Sequence, residues 1–525
     1  MRVVLLFPAP RRDREDPSCA LLPVGLLSLA AVLRARGHRV LVIHTGGFGE
    51  QDTLRAVRRF RPGLVGLSCF SYQRHLVARW ARRVRASLAP ATPFVAVGGP
   101  HASALPREIL DRWPWIDAVA EGEAEATVLE LAHRLEAGAD LAGIPGLWLR
   151  QDGPVASGPP PPPQVDLDRW PSTLGLEPFV RGVDWRVQER HRVTGRGCRG
   201  GCRFCCAPAL WRERVRRHSV ERLLSEIRAL RRRGHAWLSF RDDSFVSDPD
   251  WTAELCRRLI RESPDLMWDC QADLARLDNE LIELMRRAGC MQIQLGVESA
   301  DDRVLRALGK PHRLRHIQLA VDAVRRVGLW MSFYLMAGCP AEDRTARQAT
   351  IELVRRARPA SLSVSRLSLY PGTALARRIS PGRFFRVRAA SLFYRSDPAA
   401  IRYANVLRTL ARACLRQEPY TIEELALAEE RTGGAPSVRL TLAQAALRQG
   451  EHLLAEMACR RWLRDRPRSA WARFTLAEIF FSQGRRQDAA AELERALDHL
   501  PNWREARRLL SLARRCGPAP DQDAD

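Results

Sequence analysis

Short apolar runs alternate with amphipathic stretches over residues 1–150. The apolar runs have the length of buried strands and lie at residues 3–7, 40–43, 64–68 and 94–97. Between them, apolar positions recur with a helical period, as over residues 26–36 and 77–88. Strands that alternate with helices predict a Rossmann-like (flavodoxin-like) α/β domain with a parallel sheet.

Several predicted strands of this first domain end in loops of small residues. These loops are residues 68–71, 98–103 and 118–123. Ligands of open parallel sheets bind at the carboxyl ends of the strands, so the loops predict a binding site at one edge of the sheet. The alternative is a sheet of this type that holds no ligand.

A proline run separates the first domain from a second one. Residues 159–163 are five consecutive prolines, which favour extended geometry and predict a semi-rigid linker over residues 151–185. The strand–helix pattern returns over residues 186–385, with a helix at 219–232 that Ser219 is placed to cap. Strands are predicted there at 190–194, 237–240 and 330–336, and residues 386–430 form only a connecting segment.

The last part of the chain contains an internal repeat. Five residues recur 34 positions later, namely Leu442, Ala443, Gly450, Ala455 and Pro467 as Leu476, Ala477, Gly484, Ala489 and Pro501. This is the period of tetratricopeptide repeats, which are helix pairs with small residues where the helices touch. Residues 431–515 are therefore predicted to be helical repeats that dock on the preceding region and bind a protein partner. A disordered tail is predicted at residues 516–525.

The chain carries a formal charge of +24, which raises nucleic acid as a partner. Lys310 is, however, the only lysine, and the arginines are spread over every predicted domain. This distribution indicates a compositional bias, so nucleic acid is disfavoured, and RNA modification rests on charge alone. No apolar run is long enough to span a membrane. The 13 cysteines are too dispersed for a secreted disulfide framework, which predicts a reducing, cytoplasmic location.

Three cysteines stand close together in the second predicted domain. Cys198, Cys202 and Cys205 have the spacing C-x3-C-x2-C in a loop rich in glycine and arginine. Three such thiolates can bind three irons of a [4Fe–4S] cluster and leave the fourth iron open to a substrate or cofactor. A zinc site or a redox disulfide is the alternative, although zinc commonly takes four ligands. The adjacent Cys206 is interpreted as a spare thiol, with a substitute ligand or a reactive group as alternatives.

The cysteine spacing, with aromatic Phe204 before the third cysteine, resembles the signature of the radical S-adenosylmethionine (radical SAM) enzymes. The resemblance implies a partial (β/α)6 barrel over residues 186–385, with SAM bound at the cluster. The residues that it places around SAM are Phe204, Asp242, Asp243, Glu298, Ser299, Gly338 and Pro340. As alternatives, one of the two aspartates caps the next helix, and Glu298 is a carboxylate at the start of a helix.

The loops of the first domain resemble the cobalamin-binding domain that precedes many radical SAM barrels. The residues that this resemblance places around cobalamin are Ser68, Gly98, Gly99, Pro100, His101, Glu121 and Gly122. The Asp-x-His-x-x-Gly motif, by which other cobalamin proteins supply a histidine to cobalt, is missing, so the resemblance implies base-off cobalamin. We expect His101 to pack along the nucleotide tail rather than to bind cobalt.

Together these resemblances imply a cobalamin-dependent radical SAM enzyme. In this family the reduced cluster cleaves SAM to give a 5′-deoxyadenosyl radical, which removes a hydrogen atom from an unactivated carbon, and methylcobalamin then donates a methyl group. Cyclisation or rearrangement of a tetrapyrrole-type substrate is one alternative. A non-catalytic iron–sulfur sensor that recruits partners through its repeats is another. The expected partners are a small-molecule substrate, which the sequence does not name, and a reductant such as flavodoxin or ferredoxin.

Overall fold

The computed structural model describes residues 1–10, 20–150, 155–162, 164–211, 214–386 and 391–515. The chain divides into two compact units, Met1–His218 with Leu367–Arg395 and Ser219–Arg366 with Ser396–Asp525. The tail predicted at residues 516–525 and parts of the predicted linker and connecting segment lie outside the described residues.

The first unit is built on a sheet whose central strands are parallel. Its strands are β1 (Arg2–Phe7), β2 (Arg39–His44), β3 (Leu64–Ser68), β4 (Phe94–Gly98), β5 (Ala118–Ala120), β6 (Leu147–Leu149), β7 (Ala156–Ser157) and β8 (Val180–Arg181). Their order is β7-β6-β5-β4-β3-β1-β2-β8. The parallel part has the flavodoxin-like order β2-β1-β3-β4-β5, which confirms the predicted fold class. The order reverses between β1 and β3, where ligands of such sheets bind.

Helices enclose two hydrophobic cores in this unit. The helices are α1 (Val24–Ala35), α2 (Thr45–Phe48), α3 (Glu50–Phe60), α4 (Arg74–Leu88), α5 (Pro100–Ala104), α6 (Pro106–Arg112) and α7 (Glu125–Ala137). Alternate residues of β1 enter the two cores, Val3 and Leu5 one of them and Val4 and Leu6 the other. Because both faces of the sheet are covered, its strands read as continuous apolar runs rather than as alternating patterns.

The segment predicted to be a linker contributes strands to the same sheet. β7 pairs antiparallel with β6, and β8 pairs in parallel with β2. Pro161 packs near Gly122, where an added Cβ atom would lie 3.5 Å from the proline ring. The extended geometry of this segment therefore forms a sheet edge rather than a free spacer, and the sheet continues past the predicted boundary at residue 150.

Five short elements follow, and two of them form a hairpin. They are α8 (Trp185–Glu189), β9 (His191–Arg192), β10 (Gly195–Arg196), α9 (Ala207–Trp211) and β11 (Arg216–Arg217), of which β10 and β11 pair antiparallel. The strand predicted at residues 190–194 is shorter than expected, since β9 has two residues.

The second unit contains a parallel sheet with helices between its strands. The elements are α10 (Val220–Arg232), β12 (Trp237–Phe240), α11 (Pro249–Glu262), β13 (Met267–Ala272), α12 (Asn279–Arg287), β14 (Cys290–Glu298), α13 (Asp302–Ala307), α14 (Leu314–Arg326), β15 (Trp330–Ala337), α15 (Arg344–Ala357) and β16 (Ser361–Arg366). Each of these strands pairs in parallel with the next, as the predicted partial barrel requires. Ser219 caps α10 as predicted, because its hydroxyl accepts a hydrogen bond from the Arg222 N–H at 3.2 Å.

The end of the predicted barrel segment returns to the first unit. This part contains β17 (Ser368–Leu369), α16 (Pro381–Arg386) and β18 (Leu392–Phe393), and β17 pairs antiparallel with β18. Residues 186–218 and 367–385, which the sequence assigns to the barrel, are therefore packed with the first sheet.

Helices make up the rest of the second unit. They are α17 (Pro398–Cys414), α18 (Ile422–Arg431), α19 (Pro436–Arg448), α20 (His452–Asp465), α21 (Ala470–Ser482), α22 (Arg486–His499) and α23 (Arg504–Arg515). The bounds of α19 and α20 recur 34 residues later as those of α21 and α22, which confirms the repeat. α19 docks on the barrel, since the Arg286 guanidinium donates to Thr441 Oγ1 at 2.7 Å. None of the described helices has the length and apolar character needed to cross a bilayer.

Candidate functional site

The three predicted cluster ligands lie on a hairpin. β10 and β11 pair antiparallel, with Arg196 opposite Arg216, and the described residues 197–211 and 214–215 form a loop between them. We call β10, β11 and this loop the cysteine hairpin. Gly197 has a φ of +99°, and a Cβ atom there would lie 1.9 Å from the carbonyl oxygen of Arg214. Only glycine therefore fits at this position of the stem.

The three cysteines are half-buried, and two of their sulfurs accept backbone hydrogen bonds. The Gly200 N–H donates to Cys198 Sγ at 3.3 Å, and the Ala207 N–H donates to Cys205 Sγ at 3.4 Å. Such donors stabilise negative charge on cluster sulfurs. Within the described residues, no three His, Cys, Asp or Glu side chains converge on one metal ion. In a cubane cluster each thiolate binds a different iron, so three cysteines on one hairpin can supply the ligands of three irons.

Cys206 lines a cavity of about 340 Å³ in the first unit. Burial raises the pKa of its thiol to about 11, so the thiol is protonated near neutral pH. A protonated thiol is a poor nucleophile and a poor metal ligand. The interpretation of Cys206 as a spare thiol stays a prediction.

The same cavity brings the loops of the first sheet together with the cysteine hairpin. Pro100 lies at the end of β4, the residues 121–123 follow β5, and Trp211 belongs to the hairpin; all of them line the cavity. The volume lies at the lower end of the range of about 300–1,000 Å³ for small-molecule pockets. A corrinoid is larger than this, so the cavity would enclose only a part of it.

The predicted cobalamin residues divide into two groups. Pro100, Glu121 and Gly122 line the cavity, whereas Ser68, Gly98, Gly99 and His101 do not. Gly99 instead shapes the loop, because its φ is +99° and an added Cβ atom would lie 3.0 Å from the Cys69 carbonyl oxygen.

His101 is a core residue. Its side chain is 1% exposed, its Nδ1 lies 2.9 Å from Ser71 Oγ, and its ring meets Phe385 edge-on at 5.8 Å. Burial lowers the pKa of His101 to about 4, so the ring is neutral. These contacts place His101 outside the residues that line the cavity, and its predicted position along the nucleotide tail stays a prediction.

Buried charges join the loop after β5 to the cysteine hairpin. Arg196 Nη1 lies 2.5 Å from Glu123 Oε1, and Arg216 Nη1 lies 2.6 Å from Glu123 Oε2. Arg196 also pairs with Glu125, which accepts a hydrogen bond of 2.7 Å from the Ser28 hydroxyl. Burial alone would raise the pKa of Glu125, but the Arg196 guanidinium outweighs burial, and the pKa lies below its ordinary value.

In the second unit, Glu298 ends β14 in a left-handed conformation with a φ of +62°. Its carboxylate is buried, and Lys310 Nζ lies 3.0 Å from Glu298 Oε1. A non-glycine residue holds such a backbone only where its surroundings impose it, and such strain is concentrated at functional sites. Lys310 was missed by sequence reasoning, although one signal was available: it is the only lysine in a chain with 84 basic residues.

The two aspartates after β12 have different surroundings. Asp242 is 2% exposed, whereas Asp243 is exposed, as the alternation of side chains along an extended chain requires. Asp248 caps α11, since its carboxylate accepts a hydrogen bond from the Trp251 N–H at 3.2 Å. Asp242 is therefore the better candidate for a cofactor contact.

Three other predicted SAM residues lie in tightly bonded loops of the second unit. Ser299 Oγ lies 3.4 Å from Thr350 Oγ1, so its hydroxyl is engaged within the loop. The Gly338 N–H donates to Glu342 Oε2 at 2.9 Å, which holds the turn containing Pro340. In the first unit, Phe204 is half-buried in the cysteine hairpin.

One face of the barrel sheet is polar. Its hydrogen bonds join side chains that lie on, or next to, different strands: Ser239 to Asp269, Arg241 to Gln294, Tyr334 to Gln294, Gln271 to Tyr334, and Ser361 to Ser332. The alternate residues, such as Phe240, Ile293 and Phe333, are 0% exposed. We call this set of hydrogen-bonded side chains the polar face. Sequence reasoning missed it because each strand alternates and the pattern does not say which face is covered.

Comparison with known proteins identifies the class of this chain. The family described as "Radical SAM superfamily" matches residues 193–354, "B12 binding domain" matches residues 20–132, and "Tetratricopeptide repeat" matches residues 446–513. A protein of Pyrococcus horikoshii, named uncharacterized methyltransferase PH0819, is 30% identical over 366 residues, which cover 67% of this chain and 77% of that protein. The chain belongs to the radical SAM superfamily, among the members with a B12-binding domain.

Two further similarities bear on fold and function. An anaerobic magnesium-protoporphyrin IX monomethyl ester cyclase of Rubrivivax gelatinosus is 23% identical over 371 residues, covering 68% of this chain and 66% of that protein. The radical SAM methyltransferase TsrM of Kitasatospora setae, solved with cobalamin and a [4Fe–4S] cluster bound, superposes with a TM-score of 0.62 at 21% identity. The superposition covers 72% of this chain and 77% of TsrM and establishes the shared fold. The cofactors of this class are the [4Fe–4S] cluster, SAM and cobalamin, as predicted.

Proposed function

We propose that this enzyme transfers a methyl group to an unactivated carbon of a small polar molecule. When bound, the cluster and SAM supply a 5′-deoxyadenosyl radical, and cobalamin supplies the methyl group. The residues of the chain bind and orient these groups and exclude water. A reductant such as flavodoxin or ferredoxin would supply the electron.

The observation that carries this proposal is the shared cavity of the first unit. Its walls come both from the loops after β4 and β5 and from the cysteine hairpin. Residues that would hold cobalamin thus border the same space as Trp211 and Arg216 of the hairpin that carries the cluster cysteines, although Cys198, Cys202 and Cys205 do not line the cavity themselves. A radical SAM enzyme that used no cobalamin would have no need of this arrangement.

Side chains of the second unit supply complementary groups for SAM. The buried carboxylates of Glu298 and Asp242 can accept hydrogen bonds from an ammonium group or a ribose hydroxyl. The Lys310 ammonium, beside Glu298, can donate to a carboxylate. We propose these three residues as SAM contacts on the basis of their burial and chemistry.

The polar face supports a polar substrate. Gln271, Gln294, Tyr334 and Arg241 there present amide, phenol and guanidinium groups, which pay a desolvation cost when an apolar molecule covers them. When a polar substrate displaces water from these side chains, its own hydroxyl, amine or amide groups would form hydrogen bonds in place of those to water. Tetrapyrroles and polycyclic lipids carry fewer such groups and would cover these side chains without making up for their lost contact with water.

The test uses anaerobically reconstituted protein with cobalamin, SAM labelled in its methyl group and a strong reductant. We expect the optical spectrum of base-off cobalamin and formation of 5′-deoxyadenosine. Cys198→Ala, Cys202→Ala and Cys205→Ala should each abolish 5′-deoxyadenosine, while cobalamin still binds when it is added at a saturating concentration. The matched control is Cys414→Ala, a half-buried cysteine on α17 that should leave both signals unchanged. Cleavage of SAM without bound cobalamin would refute methyl transfer.

A substrate panel tests the chemical class. Amino acids, nucleosides and sugars are compared with tetrapyrroles and polycyclic lipids, and the measurement is substrate-dependent 5′-deoxyadenosine together with transfer of the label. Stimulation by polar members only is the expected result, and stimulation by an apolar member alone would contradict it.

Cyclisation is the second candidate, favoured by the similarity to the Rubrivivax cyclase. It predicts a product that has lost hydrogen and carries no methyl label. A non-catalytic sensor predicts no SAM cleavage at all, so the same assay separates the three possibilities.

A further inference from the structure

The stem of the cysteine hairpin is short. β10 and β11 have two residues each, whereas the loop that they support spans residues 197–215. Even a longer isolated hairpin of two strands is only marginally stable in water. The position of the three cysteines must therefore depend on contacts outside the stem.

Glu123 supplies such contacts to both strands of the stem. One of its carboxylate oxygens binds Arg196 of β10, and the other binds Arg216 of β11. The Arg216 guanidinium also donates to the Gln164 carbonyl oxygen at 2.6 Å. Both guanidinium groups lie 5.9 Å from the ring of Trp211, which is itself part of the hairpin. A single carboxylate thus joins the two strands and fixes them to the loop that follows β5.

These ion pairs are largely removed from water. The side chain of Glu123 is 11% exposed, that of Arg196 is 16% exposed, and that of Arg216 is 9% exposed. Desolvated charge pairs contribute more to a fixed geometry than to net stability. Glu123 also lines the cavity, directly beside Glu121 and Gly122.

We propose that Glu123 is a positioning residue that couples cluster binding at the cysteine hairpin to cobalamin binding at the cavity. This inference rests on the proposed function, because it takes cobalamin as the ligand of the cavity. The physical reason is that a ligand held by residues 121–122 orders the loop that carries Glu123, and the ordered carboxylate then holds both strands of the stem. Coupling of this kind is reciprocal, so the cluster must raise cobalamin affinity by the same factor by which cobalamin raises cluster retention.

The first experiment measures cobalamin affinity with and without the cluster. Hydroxocobalamin is titrated, with absorbance as the signal, into full-length protein before and after anaerobic reconstitution of the cluster. For the wild type we expect the cluster to tighten binding by at least about five-fold, the lower end of typical coupling between sites. For Glu123→Gln the difference should fall below about two-fold, since the ion pairs that transmit it are lost.

The matched control is Glu130→Gln. Glu130 lies on α7 and forms an ion pair with Arg134 at 2.6 Å. Its side chain is 43% exposed, so this pair lies at the surface, unlike the buried ion pairs of the hairpin. This control substitution removes one carboxylate, as Glu123→Gln does, and should leave the coupling between the two sites as it is in the wild type. If Glu123→Gln does not fold by circular dichroism, Arg216→Gln takes its place, because it removes one of the two contacts and leaves Arg196 with Glu125.

The second experiment needs no cobalamin. In cluster-free protein, the alkylation rates of Cys198, Cys202 and Cys205 by iodoacetamide are compared by mass spectrometry. Glu123→Gln should raise these rates several-fold, while Cys414 reacts at an unchanged rate. Equal rates in the variant and the wild type, or undiminished coupling in the variant, would overturn the role of Glu123. A third outcome is that the wild type binds no cobalamin while the variant is alkylated faster. That result would refute the proposed function and the coupling, and Glu123 would remain a residue that positions the hairpin only.

Discussion

The two units accommodate a buried arginine in opposite ways. In the first unit, Arg196 lies between the carboxylates of Glu123 and Glu125. Burial alone would lower the pKa of Arg196, but the two carboxylates outweigh burial and raise it. In the second unit, Arg286 is 0% exposed, and among the described residues no carboxylate pairs with it. Burial lowers the pKa of Arg286 to about 10.

Arg286 is held by neutral groups instead. Its donors reach the carbonyl oxygens of Val327, Cys290 and Gly328 and the hydroxyl of Thr441. Val327 and Gly328 follow α14, so the guanidinium satisfies carbonyl groups that the helix leaves unpaired at its end. Thr441 belongs to α19, so the same side chain joins the repeats to the barrel. The comparison teaches that a buried guanidinium can be satisfied either by carboxylates, which leave a titratable group behind when the arginine is removed, or by carbonyl groups, which do not.

Arg196→Met gives the largest expected effect. It leaves Glu125, which is 3% exposed, with the Ser28 hydroxyl and a backbone N–H but no cation, and an unpaired buried charge costs about 3–5 kcal/mol. In the wild type the pKa of Glu125 is depressed, so its contribution to stability is present above its ordinary pKa and is lost as pH falls. In the variant burial is unopposed and raises that pKa, so the penalty should shrink between pH 8 and pH 5.5. Thermal unfolding and hydrogen exchange of α7 measure both effects, and a pH-independent loss would contradict the pairing.

Arg286→Met tests the other side of the comparison. The substitution leaves several buried carbonyl groups without a donor but leaves no charge unpaired. Each unpaired buried group costs about 1–3 kcal/mol, and the surroundings relax in part, so we expect a loss of about 3 kcal/mol in the free energy of unfolding. Because no titrating partner is left behind, the loss should be the same at pH 5.5 and pH 8. Hydrogen exchange should increase in α14 and α19 while SAM cleavage by the folded fraction persists. A loss that varies with pH would mean that a carboxylate does respond to Arg286.

The difference between the two regions also explains what the sequence could predict. The flavodoxin-like sheet and the repeats follow from periodicity, and the three cysteines follow from spacing, because each signal lies within a short stretch of chain. Glu123 and Arg216 lie far apart in the sequence, and nothing local indicates that they meet. The same holds for Arg286 and Thr441, so buried charges on both sides of the comparison were missed.

Boundaries were harder to predict where a segment serves two neighbours. The proline run has the composition of a spacer, yet Ala156 and Ser157 just before it form an edge strand. Residues 367–385 have the strand–helix pattern of a barrel but pack in the first unit. Composition reports local geometry, whereas membership of a unit depends on contacts that only the fold creates.

Lys310→Met tests the ion pair between Lys310 and Glu298. Like the pairs of Arg196 it joins buried charges, but it lies in the second unit, which also contains Arg286. Truncating one partner of such a pair costs about 2–5 kcal/mol, so we expect about 100-fold weaker SAM binding, equivalent to about 2.7 kcal/mol. Lys310→Arg keeps the charge and should stay within about ten-fold of the wild type. Because Lys310 is the only lysine, reductive methylation with labelled carbon gives one lysine signal in NMR. That signal should shift on addition of SAM, and an unchanged signal would remove Lys310 from the SAM site.

The smallest expected effect is a gain in stability, and it comes from Glu478, a half-buried carboxylate whose pKa is shifted by desolvation. Burial raises the pKa of Glu478 on α21 to about 7. The pKa of Glu125, in contrast, lies below its ordinary value because Arg196 stabilises the carboxylate. Between about pH 4.5 and pH 7 the folded state therefore binds more protons at Glu478 than the unfolded state, and stability falls as pH rises through this window.

Glu478→Gln should remove that dependence, because glutamine does not titrate. At pH 8 the variant should be more stable than the wild type by about 2 kcal/mol, and at pH 5 the two should be nearly equal, because the wild-type carboxyl is then protonated. Glu494→Gln, which removes an exposed carboxylate on α22, is the control and should change neither value. Thermal unfolding across this pH range decides the matter. If the gain were equally large at pH 5, it would come from packing, and the contrast between paired and unpaired buried carboxylates would not extend to the repeats.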